Sequence, residues 1–119
     1  MEPLQLSEII MDEYAVRILL GTSDRASSAI ELSRRYGIPI AACYRRIKEL
    51  EGHGFVHCEA EVPSRNGKGI QLFRSRLKSV QIALEDGHLR ARVEIGTPGS
   101  VDLPEVVEQT VDLRDSVVV

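Results

Sequence analysis

The chain has 119 residues, 43% hydrophobic and 28% charged, with no apolar run near bilayer length, so one domain of ordinary size without a membrane span is expected. Two cysteines are too few for a disulfide scaffold, and the opening M-E-P-L-Q-L-S-E has neither the basic start nor the apolar core of a signal peptide, which points to a cytoplasmic location. The net charge of −3 hides a split: residues 17 to 80 hold twelve Lys/Arg against six Asp/Glu, residues 1 to 16 hold four acids and no base, and residues 81 to 119 hold eight acids against three bases. With three Tyr, two Phe and no Trp, the core must come from Ile, Leu, Val and Ala, a thin supply for a small domain that association with a second copy would supplement.

Residues 6 to 20 read as one helix, since Tyr14, Ala15, Ile18 and Leu19 recur with helical spacing and Ile9 and Ile10 precede them, with a stop near Gly21. Ser28-Ala29-Ile30-Glu31 is a capping box that opens a second helix whose inward stripe is Ala29, Leu32, Ser33 and Tyr36. Gly37 suits the left-handed residue that ends this helix, and Pro39 the first turn of the next. The third helix spans residues 39 to 52, with Cys43, Ile47 and Leu50 facing the core and Gly54 ending it. The period then changes to two: Val56, Cys58, Ala60 and Val62 alternate with His57, Glu59 and Glu61 as a half-buried strand. Residues 63 to 69 carry turn chemistry with two cations, and residues 70 to 73 form the returning strand. A second hairpin turns at Asp86-Gly87, a type I′ signal that sets Leu84 opposite Leu89, Ile82 opposite Ala91 and Val80 opposite Val93 on one apolar face. Beyond Ile95, residues 102 to 105 offer a helix cap while residues 110 to 119 are rich in β-branched residues. Residues 96–119 are therefore read as an acidic tail of unassigned structure, open to being disordered.

The expected fold class is α+β: a winged helix-turn-helix of three helices and a β-hairpin wing, followed by a second β-hairpin. The runs D-E-Y-A-V-R-I-L-L and S-S-A-I-E-L-S-R-R-Y-G-I-P-I-A-A-C-Y-R-R-I-K-E-L-E-G-H-G-F-V resemble archaeal winged-helix transcriptional regulators of the broad ArsR-like group, over roughly residues 12 to 95. The resemblance implies double-stranded DNA as partner, with Ile40, Ala41, Ala42, Tyr44, Arg45 and Lys48 facing the major groove and Arg46 toward its flank. Where many such helices begin with Ser or Thr, this one begins Ile-Ala-Ala, which offers only thymine-methyl contacts. Base readout would therefore rest on Arg45, with Tyr44 and Lys48 positioning the backbone and Arg65 and Lys68 on the wing touching phosphates. The basic middle between acidic ends fits a central phosphate-facing surface.

The chain is expected to divide into a DNA-binding domain over residues 1–77, a hairpin over 78–95 and the tail over 96–119, and the one-sided apolar face of the hairpin, an exposed patch that calls for a partner, is expected to form a homodimer together with residues 4 to 10. The competing reading is a winged helix that binds a protein partner without touching DNA. Relatives in the wider group sense metals or oxidants, but Cys43 and Cys58 fall on expected core faces, and neither they nor His53, His57 and His88 have chelating spacing. No metal, cofactor or effector is assigned. With no glycine-rich phosphate loop, nucleophile elbow or scaffolded carboxylate pair, no enzymatic activity is expected.

Overall fold

A computed structural model describes residues 5 to 97 and 101 to 112. In chain order these form α1 (Gln5–Met11), α2 (Glu13–Gly21), α3 (Ala29–Tyr36), α4 (Ile40–Gly52), β1 (Val56–Pro63), β2 (Gly69–Ser75), β3 (Leu77–Glu85), β4 (His88–Ile95) and β5 (Glu105–Asp112). β1 and β2 make a two-stranded antiparallel sheet, and β3, β4 and β5 a three-stranded one with β4 in the centre. The fold is α+β, a winged helix-turn-helix followed by a second hairpin, as the sequence indicates.

The single helix expected over residues 6 to 20 is two helices. Asp12 takes an extended conformation (φ −71°, ψ 126°), and its Oδ1 accepts a hydrogen bond from the Ala15 N–H at 2.9 Å, capping α2. The break lets α1 turn away from the line of α2. Its Leu6 and Ile10 bury against the same core that contains Ala91, Val93 and Ile95 of β4, and the Leu6 N–H donates to Gln109 Oε1 of β5 at 3.2 Å.

The α3–α4 unit is set by local chemistry. Ser28 caps α3 by accepting the Glu31 N–H at 3.1 Å, while the Glu31 carboxylate accepts from the Ser28 hydroxyl at 3.3 Å rather than from the Ser28 N–H of the expected box. Gly37 ends α3 at φ 66°, a left-handed conformation that a Cβ would disfavour. Pro39 is the residue before the first turn of α4, not part of it (ψ 135°). α2 approaches α3 closely because Gly21 lacks a side chain: a Cβ there would stand 2.6 Å from the Tyr36 ring. At the far end of α4, His53 is the cap, and Gly54 takes φ 78° to send the chain into β1.

The wing is anchored at its base and bare toward its tip. Ser27 and Phe73 exchange backbone hydrogen bonds of 3.0 and 2.8 Å, and the Ser75 N–H donates to the Thr22 carbonyl at 2.9 Å, so β2 is stitched to the segment between α2 and α3. The expected alternation of β1 fails midway. A bulge between Cys58 and Ala60 shifts the register, and Ala60 and Val62 are exposed.

The second hairpin has the expected register, with Leu84 opposite Leu89, Ile82 opposite Ala91 and Val80 opposite Val93, around a turn in which Asp86 and Gly87 have φ of 51° and 78°. What the sequence left as an acidic tail contains a strand. β5 pairs along the whole of β4, with Val111 opposite Leu89 and Val107 opposite Val93. Two of its acids serve the other face of the sheet, where Glu108 meets Arg90 at 3.5 Å and Asp112 meets His88 at 3.7 Å. Of that tail, residues 98 to 100 and 113 to 119 lie outside the described residues, as does Leu4.

Candidate nucleic-acid interface

α4 divides cleanly along its length. Cys43, Ile47 and Leu50 are buried, and on the opposite side Ile40, Ala41, Tyr44, Arg45 and Lys48 are exposed. Residues 41, 44, 45 and 48 are spaced to form one continuous stripe. The Arg45 and Lys48 side chains make no hydrogen bond or ion pair among the described residues. Cations held on a rigid helix without counter-ions keep their full field for an outside anion.

Two of the expected groove residues are placed otherwise. Ala42 is 9% exposed and faces the core, so it has no surface to offer a base. Arg46, four residues on along the same flank, is drawn back into the domain. Its Nε lies 3.1 Å from Asp12 Oδ1 and its Nη1 3.5 Å from Glu49, with the side chain 24% exposed. The hydrogen bond to Asp12 holds the Arg46 guanidinium above its ordinary pKa. For Asp12, burial acts to raise the carboxyl, but the Ala15 N–H and Arg46 together outweigh it, and the net shift is downward. Arg46 thus ties α4 to the start of α2, which fixes the angle at which the exposed stripe is presented.

The wing tip is a closed turn. The Gly67 N–H donates to the Ser64 carbonyl and the Ser64 N–H to the Lys68 carbonyl, both at 3.1 Å, and Asn66 Oδ1 accepts the Lys68 N–H at 3.2 Å. From this turn the exposed Arg65 and Lys68 side chains project without a partner among the described residues. Between tip and helices lies a cleft of about 460 Å³ lined by Ser28, Ala29 and Ile30 of the α3 start, Tyr44 of α4, and Arg65, Asn66, Lys68, Ile70 and Gln71 of the wing. The fold therefore brings Tyr44, Arg65 and Lys68 around one cleft, while Arg45 and Lys48 stand outside it. Ile30, Asn66, Ile70 and Gln71 were not anticipated. For Ile30 a signal existed: an apolar residue off the inward stripe of its helix, here 43% exposed.

The cysteines are unlike each other. Cys43 is fully buried, its Sγ donating to the Ala29 carbonyl at 3.4 Å, and burial pushes its thiol above the ordinary pKa, away from the thiolate a metal or oxidant would need. Cys58 is half-buried on the wing. Among the described residues no group of three or more His, Cys, Asp or Glu is placed to hold a metal ion, and no helix is long and apolar enough to cross a membrane.

Residues 10–59 match a family model described as a helix-turn-helix domain, running from the end of α1 through α4 into β1. Such a domain suggests a DNA-binding regulator, and the match stops before the wing tip and the second sheet. No curated protein matches the chain.

Proposed function

We propose that the chain is a transcriptional regulator of the ArsR-like winged-helix kind, similar to archaeal members, that binds double-stranded DNA in the cytoplasm and performs no chemistry. α4 lies in the major groove with Arg45 reading a base edge, through a bidentate contact to guanine, while Tyr44 and Lys48 position the backbone. Arg65 and Lys68 at the wing tip hold flanking phosphates, and Ile40 and Ala41 touch thymine methyls. Residues 1–77 form the DNA-binding part and residues 78–95 the dimerising part, so two copies share a near-palindromic site with half-sites about 10 to 10.5 base pairs apart. The observation that carries this reading is the pair of cations on the exposed stripe of α4 together with the pair on the wing, none with a counter-ion among the described residues.

A second reading has one observation in its favour. Ile40, Tyr44 and Ile70 are 44%, 51% and 36% exposed, enough apolar surface for an interface with a protein partner. The two readings differ in salt dependence. For DNA, affinity for duplex falls steeply with salt, and Arg65→Ala or Lys68→Ala each flattens the log-log slope by about one. Titration of labelled duplex at several salt concentrations checks this. Absence of duplex binding at low salt would overturn the DNA reading in favour of the protein partner.

A further inference from the structure

The outer edge of β3 is built unlike a strand edge meant to face water. β3 has β4 on one side and, among the described residues, no strand on the other. The two-residue turn at Asp86-Gly87 makes Glu85 and His88 the closing pair of the hairpin. In an antiparallel ladder the bonded pairs then alternate, so Glu85, Ala83 and Gln81 bond inward to β4, and the backbone N–H and C=O groups of Leu84, Ile82 and Val80 point outward. These same three residues are 71%, 40% and 40% exposed.

Proteins blunt free edges with charge, proline or bulges, and between Ser79 and Leu84 β3 has none of these. The other edge of the same sheet is protected, since β5 carries Glu105, Glu108 and Asp112. Beside Val80 runs a groove of about 360 Å³ between α2 and β3, lined mainly by Ile10, Leu19, Leu20, Leu77 and Val80, with Leu20 67% exposed.

We propose that β3 pairs with β3 of a second copy, antiparallel about a two-fold axis at Ile82, joining the two three-stranded sheets into one continuous sheet. The register follows from the side chains. An axis at Ile82 sets Ile82 against Ile82 and Val80 against Leu84 of the second copy, each pair exchanging two backbone hydrogen bonds. An axis at Gln81 would instead set Lys78 against Leu84. With the axis at Ile82, Leu84 of the second copy stands beside Val80 and over the apolar groove, and Lys78 comes beside Asp86 of the second copy. The most exposed leucine of the strand is thereby matched to the groove that lacks an occupant among the described residues. Of α1, expected to share in the interface, Leu6 and Ile10 are buried in the core of their own chain, and Ile10 also borders the groove.

This deepens the two-copy part of the reading above, and its test needs no DNA, so the two fail separately. Light scattering on the full chain at tens of micromolar should give the mass of two copies. Ile82→Pro removes an outward N–H that β4 does not use, and a proline is tolerated on such an edge. It should give the mass of one copy with an unchanged far-ultraviolet circular dichroism spectrum. Leu84→Asp, at a position too exposed to unfold the domain, should do the same. A one-copy mass for the unmodified chain would overturn the proposal. A two-copy mass that survives in Leu84→Asp and in folded Ile82→Pro would overturn it by placing the interface elsewhere.

Discussion

Two adjacent arginines on α4 should behave as opposites. Arg46 is held at 3.1 Å by Asp12, and the two side chains are 24% and 29% exposed, so the pair is neither a surface ion pair, worth at most about 1 kcal/mol, nor a buried one, whose rupture costs about 3 to 5 kcal/mol. Allowing also for lost packing of the arginine stem, Arg46→Ala should cost about 1 to 2 kcal/mol. For a domain of this size that lowers the melting temperature by roughly 5 to 10 °C. Arg45 is exposed and has no ion pair among the described residues, so Arg45→Ala should change stability by no more than about 0.5 kcal/mol. On DNA the order reverses. Loss of a base-reading arginine costs about 1 to 3 kcal/mol on the preferred site, or roughly 5- to 150-fold in affinity, whereas Arg46→Ala should bind within about twofold of the unmodified protein well below its melting temperature. Thermal melts paired with duplex titrations on preferred and scrambled sites measure both. If Arg46→Ala lost affinity as Arg45→Ala does while keeping its melting temperature, Arg46 would be a DNA contact and its role as a tie to α2 would be refuted.

Asp12 has a folded-state pKa below its ordinary 3.8, so the stability it contributes is fully present above that value and is lost as pH falls through the lower folded pKa. Asp12→Asn should therefore flatten the fall in urea midpoint below about pH 4, and an unchanged acid limb would exclude Asp12 as its source. A thiol-specific disulfide reagent should label half-buried Cys58 first and buried Cys43 only when the domain opens. Cys43→Ala should lower stability by about 1 to 2 kcal/mol and leave DNA affinity intact, and one-to-one zinc in protein purified without chelators would contradict a structural role for Cys43.

Features that depend on a few neighbouring residues were legible in the sequence. Ser28 with Glu31, Gly37, and Asp86-Gly87 each act through a backbone conformation or a hydrogen bond closed within a few residues. The helix-turn-helix and the register of the second hairpin followed from them. The break at Asp12 had a local signal too, an Asp three residues before Ala15. Apolar periodicity runs through it unbroken because α1 and α2 both bury apolar residues in one core, and periodicity does not report a change of axis.

Other features needed partners distant in sequence. β5 is separated from β4 in sequence by residues 96 to 104, and its acids read as a solvated tail until Arg90 and His88 of β4 stand within reach. Ala42 and Arg46 share the α4 stretch with Arg45 and Lys48, and only the tertiary structure sets them apart: Ala42 is buried, and Asp12, thirty-four residues before Arg46, draws that arginine back. The sequence by itself determined which residues carry charge and which backbone turns are possible. The tertiary structure decided which charges have counter-ions, because a counter-ion is a matter of distance in space, and which strand edge lies open, because an edge exists only once the other strands have taken their places.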